Sequence, residues 1–593
     1  MQLIDWLIVL LYLVASLGLG LYLTRKGSGS LVDFFVSGRS LPWWLAGTSM
    51  AATTFSIDTP LYVAGVVGTR GIVGNWEWWS FGISHLILIY VFARLWRRSE
   101  IVTDAQLTEM RYGGRPAALL RGIKAFLFAV PINCIGIGYA MLAMVKVVDA
   151  LQLWQSVGIT PGDSAKLWSV VGVSLLVLLY AGFSGLWGVV ATDFFQFILA
   201  LVGAFIVAAY AIGEMGGMAP LLAQAQQATD IDVLAFLPFG FKDGGFCWSD
   251  AAGISLTTFA AYAAVQWWSF RRSDGGGEFI QRLAASKDEA EAEKAAWFFN
   301  LLHYVIRTWP WVVVALAAIA LYPMLEDREL GYPRLMLDFL PPVLLGLVVA
   351  SLLAAFMSTV STLINWGASY LTNDLYLRFI QPAASQAELV LVGRLASVLV
   401  TVLGGAAAFF AADVTTVFRL VIAIGTGPGL VLILRWFWWR INAAAELAAM
   451  LTGFVIGLLT SVVPVLRIED FGVRLMVTSA ISVMVWVSVM YLTPPESDET
   501  LDAFYAKIRP GGPGWARQRS RTGLAPAQDL RKDLLRTLAA SFLLFGAMFA
   551  IGGFLLLKPM TGWVSLGVAV LGWVGLRRLR GDRPSLDSSR IVS

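Results

Sequence analysis

Two runs of oxygen-bearing residues interrupt otherwise apolar sequence. The first is Ala51-Ala52-Thr53-Thr54-Phe55-Ser56-Ile57-Asp58-Thr59-Pro60, in the middle of an apolar segment over residues 42–68. A polar, proline-containing break there costs several kcal/mol in hydrocarbon unless its loosened backbone groups are used. The usual user is an ion or solute held near the membrane midplane by freed carbonyls and half-helix ends. The second run is Ala354-Ala355-Phe356-Met357-Ser358-Thr359-Val360-Ser361-Thr362, within residues 342–376. Ser358, Ser361 and Thr362 have the i, i+3, i+4 spacing that shares one helical face, with Thr359 beside it. Sodium is a hard cation that wants several oxygens, by analogy with calcium and magnesium. Neutral hydroxyls and carbonyls of a broken helix supply these weakly enough for the ion to leave, whereas a carboxylate cage would retain a divalent ion. The competing reading is that hydroxyls bond back to their own helix. Four of them within five positions, together with a broken helix elsewhere, weigh toward an ion site.

Other polar side chains in apolar sequence could face a solute. Glu77 and Ser80 stand in Trp76-Glu77-Trp78-Trp79-Ser80, Asn133 and Tyr139 follow, and His303 and Arg307 lie i, i+4. Carboxylate, amide and hydroxyl groups beside tryptophan faces suit a polyhydroxylated solute. Arg307 and Arg419 could hold a carboxylate bidentately or pair with neighbouring acids. Asp58 could line the pocket or cap the second half-helix. Asp193, in Ala191-Thr192-Asp193-Phe194-Phe195-Gln196, is an ion-site candidate as an intramembrane acid, or a helix-start acid favoured by the macrodipole. The tryptophans at 76, 78, 79, 436, 438 and 439 read as interface-belt aromatics. Gly425-Thr426-Gly427-Pro428-Gly429 reads as a kink, not a phosphate loop, because no P-loop lysine follows.

These groups need a membrane-spanning scaffold. The chain has 593 residues, 58% hydrophobic and 14% charged, with a mean hydropathy of +0.73, which excludes soluble and disordered classes. Apolar runs predict an all-α integral membrane protein with about 15 transmembrane helices, near 2–24, 42–68, 77–96, 118–149, 166–185, 187–213, 248–270, 296–322, 342–376, 387–411, 414–438, 443–465, 473–493, 534–557 and 561–577. The first run is read as a retained helix, since it lacks a basic leader. Arg94, Arg97, Arg98, Arg271, Arg272, Arg282, Arg517, Arg519, Arg521, Arg577, Arg578 and Arg580 fall in alternate loops. By the positive-inside rule these loops are cytoplasmic, with the N-terminus outside and the C-terminus inside, in a plasma membrane of the bacterial inner type. The net charge of +4 follows from that rule and implies no nucleic-acid partner. Cys134 and Cys247 give no disulfide framework. Residues 214–246 are expected to lie outside, as a lid over the vestibule, and 494–533 to form a cytoplasmic, partly helical linker.

Gly38-Arg39-Ser40-Leu41-Pro42-Trp43-Trp44, Ala355-x-x-Ser358-Thr359 and Gln281-Arg282-x-x-Ala285-x-Lys287 together resemble the sodium:solute symporter family over roughly residues 5–490. The resemblance implies a LeuT-type core of two inverted five-helix repeats. The chain then divides into an extra helix and inner loop (1–41), first repeat (42–213), outer loop (214–247), second repeat (248–438), two added helices (439–493), linker (494–533), and two C-terminal helices with a basic tail (534–593). It also implies a sodium site of the Ala52, Phe55 and Ala355 carbonyls with the Ser358 and Thr359 hydroxyls. Sialic acid symporters of the family have a second sodium site, matched here by Asp193, Ser358, Ser361 and Thr362, so one or two sodium ions couple. Glu77, Ser80, Asn133 and His303 match sugar-contacting positions of sodium–galactose symporters, where His303 replaces a lysine. Thr59 replaces a glutamine, and the insertion at Ser273–Gly277 breaks the family motif, which leaves a sugar as a lead.

The resulting expectation is a sodium-coupled symporter, not an enzyme, importing a small polar organic solute by alternating access. Its partners are that solute and membrane lipid, with no obligate protein partner. The alternatives are a symporter for an amino acid or an organic or sialic-type acid, and a solute-sensing membrane receptor. Only two histidines, with no metal spacing and no nucleophile elbow, argue against catalysis. Proton coupling would call for an acid or lysine at 358 or 359.

Overall fold

The computed structural model describes residues 1–27, 35–156, 158–160, 162–181, 185–242, 245–249, 251–411 and 413–579. Arg580 of the basic tail and residues 182–184 of the span expected over 166–185 lie outside the described residues. The chain is almost entirely helical: α1 (Leu3–Gly27), α2 (Trp43–Thr53), α3 (Asp58–Arg70), α4 (Ile72–Ser99), α5 (Gly114–Ala150), α6 (Ala165–Ala181) and α7 (Gly185–Glu214) come first. They are followed by α8 (Leu256–Ala261, prolonged to Ser269), α9 (Glu289–Leu321), α10 (Leu344–Ile380), α11 (Gln386–Phe410), α12 (Val414–Gly425) and α13 (Gly429–Phe437). The last are α14 (Ala443–Val462), α15 (Phe471–Leu492), α16 (Leu530–Leu555) and α17 (Pro559–Arg578). Among the described residues ten helices are long and apolar enough to cross a membrane.

Two apolar segments are discontinuous for local reasons. Between α2 and α3 the helix stops at Thr53 and resumes at Asp58. Pro60 sits in the first turn of α3, where its missing N–H costs nothing, and Asp58 favours the helix start. Between α12 and α13, Thr426–Pro428 leave the helix, with Gly427 at φ +120°. Gly427 N–H donates to the Ser269 carbonyl at 2.8 Å and Arg271 N–H to the Gly425 carbonyl at 2.8 Å, so the ends of α8 and α12 are stitched together.

The expected span over 248–270 is corrected at its start. Residues Gly245–Trp248 form a strand, β2, paired antiparallel with β1 (Phe239–Lys242), and α8 begins only after Ser255, whose hydroxyl caps Thr258 N–H. The aromatic alternation Phe246–Trp248 suits a hairpin better than a helix. The Ser273–Gly277 insertion is a buried plug. Asp274 accepts from Arg435 at 2.8 Å and from the Trp436 indole at 3.0 Å, while Gly275 and Gly277 take positive φ.

α7 packs on α2 and α10, α9 on α2 and α3, and α5 on α10, α11 and α12, so the two broken segments lie within the bundle. The linker is structured: helix Asp498–Ile508 lies against the C-terminal end of α4, and helix Ala516–Thr522 packs on Asp498–Ile508. Trp515 is fully buried there and donates to the Trp436 carbonyl at 2.8 Å.

Candidate functional site

The broken end of α2 meets the hydroxyl face of α10 directly. Thr359 Oγ1 donates to the Thr53 carbonyl at 2.9 Å, and the Thr53 and Thr362 hydroxyls lie 3.3 Å apart. Ser49-x-x-x-Thr53 on α2 therefore faces Ser358-x-x-x-Thr362 on α10, two i, i+4 hydroxyl pairs across one seam. The Ala52 carbonyl turns the chain by accepting Phe55 N–H at 3.0 Å, and Ala355 is buried one turn before Thr359. The Phe55 ring fixes the unwound stretch by packing edge-on against Trp311 at 4.8 Å.

Asp193 closes this seam from α7. Its oxygens accept from Ser358 and Ser49, each at 2.5 Å, and the Arg282 guanidinium lies 3.6 Å away with both side chains fully buried. Arg282 also donates to Ser49 Oγ at 3.1 Å and to Thr362 Oγ1 at 2.6 Å. Arg282 was expected in an inner loop, and this corrects it: packing of the short helix Glu278–Ala285 against α2 and α10 carries its side chain into the core. Ser361 donates to the Ser358 carbonyl at 3.1 Å, the back-bonded arrangement that belongs to its own helix.

A cavity of about 170 Å³ adjoins the seam, and Thr53 and Thr359 form part of its wall. Asp58, Thr59, Asn133, His303 and Arg307 also line it, with Tyr139 and Trp78. Asn133 Nδ2 donates to the Leu363 carbonyl at 2.8 Å, and its Oδ1 has no hydrogen-bond partner. His303 Nδ1 lies 2.9 Å from the Thr54 hydroxyl and contacts Arg307. Asp58 is the first residue of α3, and no side chain caps that helix, so the capping reading is set aside. A π-helical turn precedes Asn133 (Phe128–Ile132) and another precedes Arg307 (Leu301–Ile306), rotating each helix where it meets the cavity.

Glu77 and Ser80 do not line this cavity. The Glu77 carboxylate accepts from Arg419 Nε at 2.9 Å, Arg419 Nη2 at 2.8 Å, Arg70 Nη1 at 3.1 Å and Tyr262 OH at 2.8 Å. Its acceptor positions are thus occupied by α3, α8 and α12, and Ser80 is buried with its hydroxyl unpaired. Three of the tryptophans expected in the interface belt are corrected too: Trp79 and Trp436 are fully buried and Trp78 faces the cavity. They fill space between helices, where a large flat ring excludes water from polar groups.

Among the described residues no cluster of three histidine, cysteine or acidic side chains could hold a metal ion, and Cys134 and Cys247 are free. The residues that sequence reasoning missed as site members are Ser49, Thr53, Arg282, Arg70 and Tyr262. The Ser49/Thr53 spacing was available as a signal, and Arg70 lies only seven positions from Glu77; Arg282 and Tyr262 depend on contacts across 80 or more positions.

Fold and site define a polytopic helical membrane protein with a broken helix against a hydroxyl seam and a solute-sized cavity. A family model for the sodium:solute symporter family matches residues 34–453. The chain belongs to that family. It is 26% identical over 421 residues to a sodium/glucose cotransporter of Vibrio parahaemolyticus, covering 68% of this chain and 74% of that one. It is 25% identical over 495 residues to sodium/myo-inositol cotransporter 2 of Mus musculus, covering 77% and 69%. Among solved structures, the substrate-bound outward-open state of a Na+-coupled sialic acid symporter aligns with a TM-score of 0.66, at 20% identity over 84% of this chain and 99% of that one, a likeness of fold. The family and these relatives are transporters, not enzymes.

Proposed function

We propose that this protein imports a small polar organic solute by sodium-coupled symport, through alternating access around the α2–α3 break. The observation that carries the reading is the Thr359 hydroxyl on the Thr53 carbonyl at 2.9 Å, where an unwound helix end meets a face of neutral oxygens. Sodium enters that seam, held by the carbonyls of Ala52, Phe55 and Ala355 and the hydroxyls of Ser358 and Thr359. Asp193 and Thr362 stand beside it as candidates for a second ion, with Ser361 the weakest because of its back-bond. The solute sits in the adjoining cavity against Asp58, Thr59, Asn133, His303 and Arg307. Because Thr53 and Thr359 belong to both walls, ordering by the ion also shapes the solute pocket.

In this reading the Glu77–Arg70–Arg419 cluster latches the outer mouth, and Glu77 and Ser80 meet the solute only when it opens. Inward opening separates α2 from α10 and releases both ligands. The relatives named for glucose and myo-inositol make a sugar or polyol scaffold the lead. We further propose fifteen spans with inverted five-helix repeats in α2–α7 and α8–α13, an outside N-terminus and an inner-membrane location. At about 100 mV and a roughly tenfold inward gradient, one sodium contributes about 2.3 plus about 1.4 kcal/mol, enough for several-hundred-fold accumulation. The test is uptake of labelled solute into proteoliposomes. Accumulation should require an inward sodium gradient and collapse when choline replaces sodium; uptake indifferent to sodium would refute the proposal.

A further inference from the structure

We propose that the solute carries a carboxylate, and that Arg307 is the residue that receives it. This rests on the symport reading and narrows it from polar solutes to acidic ones.

Arg307 is 1% exposed. One terminal nitrogen donates to the Ala51 carbonyl at 2.8 Å; the other donates to the Thr54 hydroxyl at 3.1 Å and contacts His303. Its Nε has no hydrogen-bond partner, and among the described residues no carboxylate lies within ion-pair distance of the group. A guanidinium has five N–H donors in one plane, and here two or three are used. The Ala51 carbonyl at the end of α2 offsets only part of the charge, as helix-end carbonyls do. Asp58, in the same wall, acts on Arg307 only from beyond ion-pair distance, so the buried cation is incompletely compensated, and that cost is met when an anion arrives with matching geometry. The free Nε beside a terminal nitrogen is the edge that binds a carboxylate through two parallel hydrogen bonds. A neutral hydroxyl could accept from Nε as well, but it would leave the charge uncompensated.

Arg307 shares the cavity wall with Asp58, Asn133 and His303, so a bound solute would meet it directly. Arg307 also lies over the Phe55 and Trp311 rings, at 5.6 and 5.4 Å, which hold its plane steady at the α2 break. The π-helical turn just before it, with Arg307 N–H reaching the Leu302 carbonyl, sets its direction into the cavity. A carboxylate on Arg307 would lie at the unwound stretch that also borders the hydroxyl seam, so solute charge and sodium would be felt together.

The test uses the purified full chain and matched solute pairs: galacturonate against galactose, N-acetylneuraminate against N-acetylmannosamine, and lactate against 1,2-propanediol. Thermal unfolding is followed in sodium and in choline. At least one acid should stabilise the protein in sodium only, with no shift from its neutral partner. Arg307→Gln should weaken that acid by about 30-fold or more, and Arg307→Lys should recover part of it. A neutral member matching or exceeding its acid, or no response to any acid, overturns the proposal on the wild-type protein alone, whether or not the variants fold. If sodium still stabilises and a neutral solute adds to it, symport stands while the carboxylate assignment fails. If sodium changes neither stability nor any solute response, the symport reading fails with it.

Discussion

Replacing Glu77 by Gln should open the outer mouth. The carboxylate takes four hydrogen bonds from three elements, two of them from one arginine. An amide keeps one acceptor oxygen, loses the charge and turns an N–H₂ toward a cationic neighbour. Breaking a fully buried ion pair by removing one partner costs about 3–5 kcal/mol. Arg419 and Arg70 keep 24% and 23% of their side chains accessible, so part of their charge can turn to water. We take about 2–3 kcal/mol as the loss to the closed state. In the open state these groups are hydrated and the loss is small, so the closed-to-open equilibrium should move by about 30- to 150-fold. A cysteine at Thr59, which lines the cavity, reports this through its labelling rate with a membrane-impermeant maleimide, in a background lacking Cys134 and Cys247. The rate should rise by a similar factor in Glu77→Gln and less in Glu77→Asp. Unchanged labelling in a folded Glu77→Gln protein would show that the cluster is packing and not a latch.

Ser358→Ala and Thr359→Ala should each raise the sodium concentration for half-maximal uptake by about tenfold, the scale of one lost bond to a charged group. Ser361→Ala, whose hydroxyl serves its own helix, should change it little; equal effects at all three positions would remove the seam as the ion site. Where the 494–533 linker meets the end of α4, the hydrogen bond from Lys507 holds the Glu100 carboxyl below its ordinary value near 4.5. A depressed carboxyl adds stability above the unfolded value and loses it as pH falls through the folded one. Protection of residues 498–508, taken as hydrogen exchange relative to the intrinsic rate at each pH, should thus be flat across neutral pH and fall only in acid below 4.5; a fall near neutrality would contradict the sign.

Much of this site could be read in the sequence because its signals are local. Pro60 two residues after Asp58 marks a helix restart, and four hydroxyls within five positions mark a face, whatever surrounds them. The alternation that predicts spans is likewise local, which is why most helix ends agree to within a few residues. What could not be read is pairing at a distance. Glu77 looks like a free acceptor until Arg419, 342 positions away, is seen to occupy it. Arg282 reads as a loop cation until its helix folds inward. The tryptophans at 76, 78 and 79 resemble belt residues because composition cannot separate a lipid-facing ring from one facing a cavity. The span expected from residue 248 starts only at Leu256, where Ser255 caps the helix.

The number of coupling ions turns on Arg282. The oxygens that would hold a second sodium, those of Asp193 and Thr362, already face its guanidinium, at 3.6 and 2.6 Å. Two unit charges at that separation attract by about 4 kcal/mol at an effective dielectric constant near 20. An ion entering the same place must therefore displace Arg282 or share Asp193 with it. Arg282→Gln removes the resident cation and leaves a buried carboxylate beside the Ser49, Ser358 and Thr362 hydroxyls, a set a hard cation would favour. That variant should bind sodium more tightly, or bind one more ion per protein, in equilibrium binding of radiolabelled sodium, and Asp193→Asn in the same background should reverse the gain. If Arg282→Gln leaves both affinity and ion number unchanged while remaining folded, the guanidinium and the ion do not compete, and Asp193 is a structural partner of Arg282 alone.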